Sequence, residues 1–329
     1  MKGKNAKVIL LLFFIAVVSC ANAQYSIKAT LLGTGAPVPS IERFGPSILV
    51  EAGGQKLLFD CGRGAGQRLW QLKIPLGQID ALFLTHLHSD HIVGIPDVWL
   101  TGWIPAVYGR RVYPFQIFGP GGTKGMMENL VKAFSWDIRT RSKEKNKADS
   151  GALVNATDIK EGVIWEKNGV KVTPFTVRHA EFIDSALGYR IDFAGHSIVL
   201  SGDTRYSENL IRYAKGTDVV IHEVAAANEH STQTSLLVNQ ILGFHTSPED
   251  AGKVFEQIKP KLAVYSHIVL LTADPSIPPP TINDLTTRTQ KIYKGALQVG
   301  EDLLSIEIGD TIKISKYTAT VTKVAEVIK

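Results

Sequence analysis

The sequence predicts an α/β fold with its chemistry gathered along one sheet edge. Short β-rich runs alternate with loops and helical stretches. A cluster of histidines stands directly after an apolar strand. Three further potential ligands, His179, Asp203 and His267, each follow another apolar run.

Composition sets the bounds. The chain has 329 residues, 44% hydrophobic and 20% charged, with two cysteines. This describes an ordinary globular protein and excludes disordered, collagenous and disulfide-stapled classes. Residues 1–23 are expected to be a signal peptide. Lys2, Lys4 and Lys7 precede an apolar run from Val8 to Val18, and Ala21-Asn22-Ala23 supplies a small-residue exit. Val17-Val18-Ser19-Cys20 also resembles a lipobox, so a lipid anchor at Cys20 stays open, although a strand starting near Ser26 would leave it little tether. Cleavage after Ala23 leaves 33 basic and 31 acidic residues, a net +2 in place of +5, and Cys61 as the lone cysteine. Such a balance suits a nucleic-acid binder poorly. The domain expected to fold is 24–329, and its location is periplasmic or secreted.

In order, Ser26 to Leu32 reads as a strand ending at Gly33-Thr34-Gly35-Ala36-Pro37. Ser47 to Glu51 and Lys56 to Phe59 form a hairpin about Gly53-Gly54. Gly64 to Leu72 is helical, and Ala81 to Thr85 is a short strand. Lys124 to Phe134 is helical, whereas the polar, basic stretch Arg139 to Ser150 reads as a solvated loop. Strands are expected at Val163–Trp165, Val170–Thr176, Ala186–Asp192, Ser197–Ser201, Asp218–His222 and Lys261–Tyr265. Ser247 caps a helix to Ile258, with Pro248 at its first position. Four prolines make 272–280 irregular, and Thr311 to Thr322 alternates like an edge hairpin.

The strongest signal is Thr85-His86-Leu87-His88-Ser89-Asp90-His91. Imidazole and carboxylate are ligands that suit zinc in an open catalytic site. His86 and His88 would face one way along an extended segment, with Asp90 and His91 turning toward a neighbouring point. That geometry suits two adjacent metals, and His179, Asp203 and His267 supply the remaining ligands. Asp60 is expected to orient a metal histidine, and Cys61 to be a buried structural thiol.

These residues resemble the metallo-β-lactamase-fold hydrolases. The likeness is narrower still to the branch holding ribonuclease Z, small arylsulfatases and related phosphodiesterases. It rests on the histidine motif together with Gly33-Thr34-Gly35, Leu58-Phe59-Asp60-Cys61-Gly62, Phe118-Gly119-Pro120, Ser201-Gly202-Asp203-Thr204 and His222-Glu223. The resemblance implies a four-layer αβ/βα sandwich with two Zn2+ per chain at one sheet edge. It assigns His86, His88 and His179 to one ion, Asp90, His91 and His267 to the other, and Asp203 as the bridge. It implies hydrolysis by water activated between the two cations. It also implies that Glu223 and His245 pass a proton to the leaving oxygen. His222-Glu223-Val224-Ala225 departs from the branch's usual threonine-containing pattern, and a helix-capping His245 beside a merely orienting Glu223 is the alternative.

The expected substrate is a small anionic ester. The leading expectation is an exported arylsulfatase-like enzyme acting on sulfate esters. A phosphodiesterase, on cyclic nucleotides or other diesters, is the rival, and a non-catalytic metal-binding protein the third reading. Trp99, Trp103 and Tyr108 either surround an aryl leaving group or pack the adjoining helix. Nucleic-acid and membrane partners are not expected, while a homo-oligomer is allowed.

Overall fold

The computed structural model describes residues 26–144, 150–183 and 185–318; the expected signal peptide and Cys20 lie outside the described residues. The strands in chain order are β1 (Ile27–Gly33), β2 (Ser47–Ala52), β3 (Gln55–Phe59), β4 (Ala81–Phe83), β5 (Phe115–Gly119), β6 (Val154–Asp158), β7 (Trp165–Lys167), β8 (Val170–Val177), β9 (Ala186–Phe193), β10 (His196–Leu200), β11 (Val219–Ala227), β12 (Leu262–Leu271), β13 (Leu297–Val299), β14 (Ser305–Ile308) and β15 (Ile312–Ser315). They make an eight-stranded sheet, β15-β14-β1-β2-β3-β4-β5-β6, and a seven-stranded sheet, β13-β12-β11-β10-β9-β8-β7.

The two sheets face each other across a core of Leu31, Phe59, Phe83, Tyr189, Ile191, Ile221 and Val264. Helices Ala65–Gln71, Ile95–Trp103 and Thr123–Ala133 cover the outside of the first sheet through Leu69, Val98, Trp99 and Met127. Glu208–Ala214, Pro248–Ile258 and Ile282–Gln290 cover the second through Leu210, Val254, Phe255 and Leu285. Each sheet is thus apolar on both faces, as a helix-covered sheet with parallel pairs must be. The result is the αβ/βα sandwich that the sequence predicts.

Several local expectations need correction. Of the stretch predicted as a loop, Arg139 to Ser150, residues 139–144 belong to a helix, Ser135–Glu144, and 145–149 lie outside the described residues. Its polar sequence hides no apolar stripe; Asp137 in the first turn pairs with Arg141 one turn on at 2.9 Å, which supports a solvated helix. β7 starts at Trp165, two residues after the predicted start. Of the predicted edge hairpin, Ile312–Ser315 pairs with β14, and residues 319–322 lie outside the described residues.

The largest difference is in β11 and β12, each running at least five residues beyond its predicted end. Their register places His222 opposite Tyr265 but Val224 opposite Ile268. One extra residue is therefore accommodated in β12, at Ser266-His267, where His267 takes φ 42. A bulge of this kind bends a strand and re-aims a side chain. It turns His267 toward the site in mid-strand, where the sequence reading expected a strand end.

Candidate metal centre

The site is built at one edge. β8, β10, β11 and β12 run in the same direction, because β9 is antiparallel to both β8 and β10. His179 follows the end of β8 and Asp203 the end of β10, so both arrive at that edge. From the facing sheet, β4 leads into Thr85 and the histidine motif. His88 has extended backbone, φ −64 and ψ 148, and caps the short helix Ser89–Ile92. Hence His88 lies on extended chain, whereas Asp90 and His91 lie on a helical turn.

Two glycines make this possible. A Cβ on Gly62 would lie 2.5 Å from the Asp90 carbonyl oxygen, so the helical turn can seat against the Asp60-Cys61-Gly62 segment. Gly202 has φ 58, and a Cβ there would meet the Leu187 carbonyl oxygen at 2.5 Å. That turn sets the direction of Asp203.

All seven expected ligands converge. Donor atoms of His86, His88 and His179 lie within 4.8 Å of one another, as do those of Asp90, His91 and His267, and of His86, His91 and Asp203. Asp203 stands between the first two groups. Its Oδ2 is 3.9 Å from Nε2 of both His86 and His179, and 3.3 Å from His267 Nε2; its Oδ1 is 3.5 Å from His91 Nε2. Asp90 Oδ2 is 3.4 Å from His267 Nε2 and 3.6 Å from His91 Nε2.

The donor set fits divalent cations. His86 Nε2, His91 Nε2 and Asp203 Oδ1 are buried without a hydrogen-bond partner, an arrangement that costs about 1–3 kcal/mol per group unless something charged is held there. Burial, and then the neighbouring His91, hold the His86 pKa well below its ordinary value; burial also lowers His88 and His179. Neutral imidazole is the form that binds metal. Burial would also lower His91, but Asp203 and Asp60 outweigh it and raise that pKa well above normal. The pull of two carboxylates that favours a proton there favours a cation equally. Burial would raise Asp203, but His267 and His91 hold it well below the usual carboxylate range.

The far nitrogens are held in place. Asp60 Oδ2 accepts from His91 Nδ1 at 2.8 Å, while its Oδ1 accepts from the Thr85 backbone N–H at 2.8 Å. His179 Nδ1 donates to the Phe244 carbonyl at 2.8 Å. Each leaves Nε2 pointing inward.

Beside the cluster, Glu223 and His245 form a pair, Oε1 to Nδ1 at 3.2 Å. Glu223 Oε1 also accepts from the backbone N–H groups of Thr204 and Thr246, at 3.0 and 3.1 Å. Burial would lower the His245 pKa, but Glu223 overrides it and brings it up to about 9. The helix cap is Ser247, whose side chain accepts from Asp250 N, so His245 is not needed for capping. Cys61 is fully buried and burial raises its thiol pKa, as befits a structural role. Of the two readings open for the indoles, packing is the one observed: Trp99 and Trp103 are 0% and 2% exposed on helix Ile95–Trp103, and Trp99 Nε1 donates to the Ala152 carbonyl. Tyr108 packs edge-on against Trp70.

Residues 27–241 match the family described as Anti-Pycsar protein Apyc1. Ribonuclease Z of Mycolicibacterium gilvum is 33% identical over 282 residues, covering 86% of this chain and 96% of the relative. The chain belongs to the metallo-β-lactamase-fold hydrolases, in the ribonuclease Z branch. Solved structures agree on the fold. YhfI of Bacillus subtilis superposes with a TM-score of 0.65 at 17% identity, covering 86% of this chain and all of that one. A diphosphatase of the PhnP family gives 0.60 at 21%, with coverage of 86% and 98%. Zinc-bound PqqB of Methylobacterium extorquens gives 0.58 at 17%, with coverage of 84% and 99%. This chain is a metal-dependent hydrolase of that fold.

Proposed function

We propose that this hydrolase is a phosphodiesterase that acts on small phosphodiesters. His86, His88 and His179 would hold one zinc ion and Asp90, His91 and His267 a second, with Asp203 shared between them. The observation that carries the reading is the Glu223–His245 pair beside the ligand cluster. An alkoxide leaving group, such as a ribose oxygen, needs a proton as it departs, and a histidine paired to a buried carboxylate can deliver one.

Bound zinc would lower the pKa of water and neutralise charge on the phosphoryl oxygens. The chain's own residues do the rest. Asp60 and the Phe244 carbonyl keep His91 and His179 aligned. The oxygen of an attacking water forms a bond to phosphorus, and the ester P–O bond breaks with its electron pair on the leaving oxygen. His245 gives its Nε2 proton to that oxygen, and Glu223 Oε1 stabilises the imidazolium before transfer. A proton from the attacking water restores the pair.

The ribonuclease Z relative is, by its name, a nuclease of RNA, whose linkages are phosphodiesters, which supports phosphodiesters over sulfate esters. The near-neutral charge after residue 23 supports a small substrate over a long nucleic acid. Export to the periplasm or beyond is part of the proposal and rests on Lys2, Lys4, Lys7 and the apolar run behind them; intact-mass measurement of the purified protein tests cleavage after Ala23. The function is tested by assaying zinc-loaded protein on bis-p-nitrophenyl phosphate and p-nitrophenyl sulfate. Faster turnover of the diester supports the reading, and faster turnover of the sulfate restores the arylsulfatase alternative.

A further inference from the structure

His267 differs from His91 and His179 in how its ring is aimed. Asp60 holds His91 through Nδ1, and the Phe244 carbonyl holds His179 in the same way. His267 Nδ1 is buried and has no hydrogen-bond partner among the described residues. Its direction is therefore set by the backbone. That backbone is strained: φ is 42 at the bulge, in the left-handed region that a residue with a Cβ seldom enters. Such a conformation persists only where the surrounding chain imposes it.

Two segments impose it here. Ahead of the bulge, the Tyr265 carbonyl accepts from the N–H of Gly300, the residue after β13, at 2.8 Å. Behind it, the Ile268 N–H donates to the carbonyl of Thr34, the residue after β1, at 3.0 Å. Arg43 joins the two segments, with Nη1 donating to Thr34 Oγ1 at 2.6 Å and to the Gly300 carbonyl at 2.8 Å. Asp302 anchors the whole. Its Oδ1 accepts from the Thr34 N–H and hydroxyl, both at 2.9 Å. Its Oδ2 accepts from the Phe44 N–H at 2.8 Å, which fixes the chain carrying Arg43, and from Arg68 Nη2 at 2.9 Å. The Asp302 side chain is 4% exposed, and four donors occupy its two oxygens. Its two neighbours in this network, Thr34 and Gly300, are the segments that bracket His267.

We propose that Asp302 is a positioning residue for the second metal ion, acting through Thr34 and Arg43 on the bulge that aims His267. The inference rests on that part of the proposed function in which His267 holds this ion, and it makes no claim on the substrate. Asp302→Asn keeps the shape of the side chain but turns an NH2 group against donors, either Phe44 N–H and Arg68 or the two donors of Thr34.

The test is a cycle of zinc affinities on the purified protein, read by chelator competition for wild type, Asp302→Asn, His267→Ala and the double variant. Asp302→Asn should weaken one zinc ion about 10–100-fold and leave the other within about twofold of wild type. The double variant should bind within about twofold of His267→Ala, because the clamp then has no ligand left to aim. Thr34→Val and Thr34→Ser repeat the test with a smaller change, should Asp302→Asn fail to fold. Valine removes the hydroxyl that joins Arg43 to Asp302 and should weaken the same ion about 3–10-fold, whereas serine keeps the hydroxyl and should stay within about twofold of wild type. Unchanged zinc affinity in Asp302→Asn, or a loss that adds in full to that of His267→Ala, overturns the proposal; a lower urea stability of the zinc-free protein would then be the residue's only effect. If His267→Ala itself keeps both ions at wild-type affinity, the reading of His267 as a ligand falls and the clamp with it. A loss in His267→Ala with none in Asp302→Asn overturns the clamp alone.

Discussion

Asp60 Oδ2 lies 2.8 Å from His91 Nδ1, and the same carboxylate accepts from the Thr85 backbone and hydroxyl at 2.8 and 2.9 Å. One buried side chain thus fixes both the start of the histidine motif and the ring angle of its last member. Asp60→Asn keeps the shape and loses the charge. Zinc affinity of the site containing His91 should fall about 10–100-fold, read by chelator competition. Unchanged affinity would show that Asp60 serves folding alone.

The Glu223–His245 pair makes a prediction that depends on the leaving group. p-Nitrophenolate departs without a proton, whereas a ribose oxygen does not. Glu223→Gln and His245→Ala should each lower kcat on a nucleotide phosphodiester by about 10²–10⁴-fold. The loss on bis-p-nitrophenyl phosphate should be at least about tenfold smaller. Equal losses on the two substrates would argue for a purely structural pair.

Trp99 is a core residue, so its role can be separated from substrate binding. Trp99→Ala should destabilise the fold by about 3–5 kcal/mol in urea unfolding. Trp99→Phe, if folded, should leave KM for aryl and alkyl diesters in the same ratio as wild type. A selective rise for aryl substrates would return Trp99 to the binding surface.

An ion pair between two covering helices gives a pH signature. Arg288 Nε and Nη2 donate to Glu249 Oε1 and Oε2, each at 2.7 Å. The Arg288 hydrogen bond, against a smaller opposing effect of burial, lowers the Glu249 pKa from its ordinary 4.5. A depressed carboxylate stabilises the folded state above its unfolded pKa and loses that contribution as pH falls through the folded value. The Glu249 side chain is 40% exposed, so screening holds the contribution to roughly 0.5–1 kcal/mol. Glu249→Gln should therefore be less stable by that amount at pH 7. The difference should close as the pH is taken down through the acidic range below 4.5, as followed by urea titration.

Much of the site was legible because its ligands sit in short, polar interruptions of apolar runs. The histidine motif after β4, His179 after β8 and Asp203 after β10 all follow this rule. His267 was found for the wrong reason. Its strand does not stop there; a bulge set by pairing with β11 turns the side chain inward, and cross-strand register cannot be read from one strand alone. The helix Ser135–Glu144 was missed because Trp136 and Ile138 are its two large apolar side chains and make no repeating stripe, and periodicity detects only helices with an apolar face. The indoles were left between two readings, because an aromatic near a site has two apolar environments open to it; the turn geometry of helix Ile95–Trp103 assigns these to the core.

The most direct test of the central claim, that seven side chains hold two cations, is the zinc content of the purified protein after saturation and desalting, measured by elemental analysis beside Asp203→Ala. The account predicts two zinc ions per chain in wild type and a loss from both sites in the variant, because Asp203 faces both ligand groups. One ion or none in wild type, or an undiminished pair in Asp203→Ala, would contradict it.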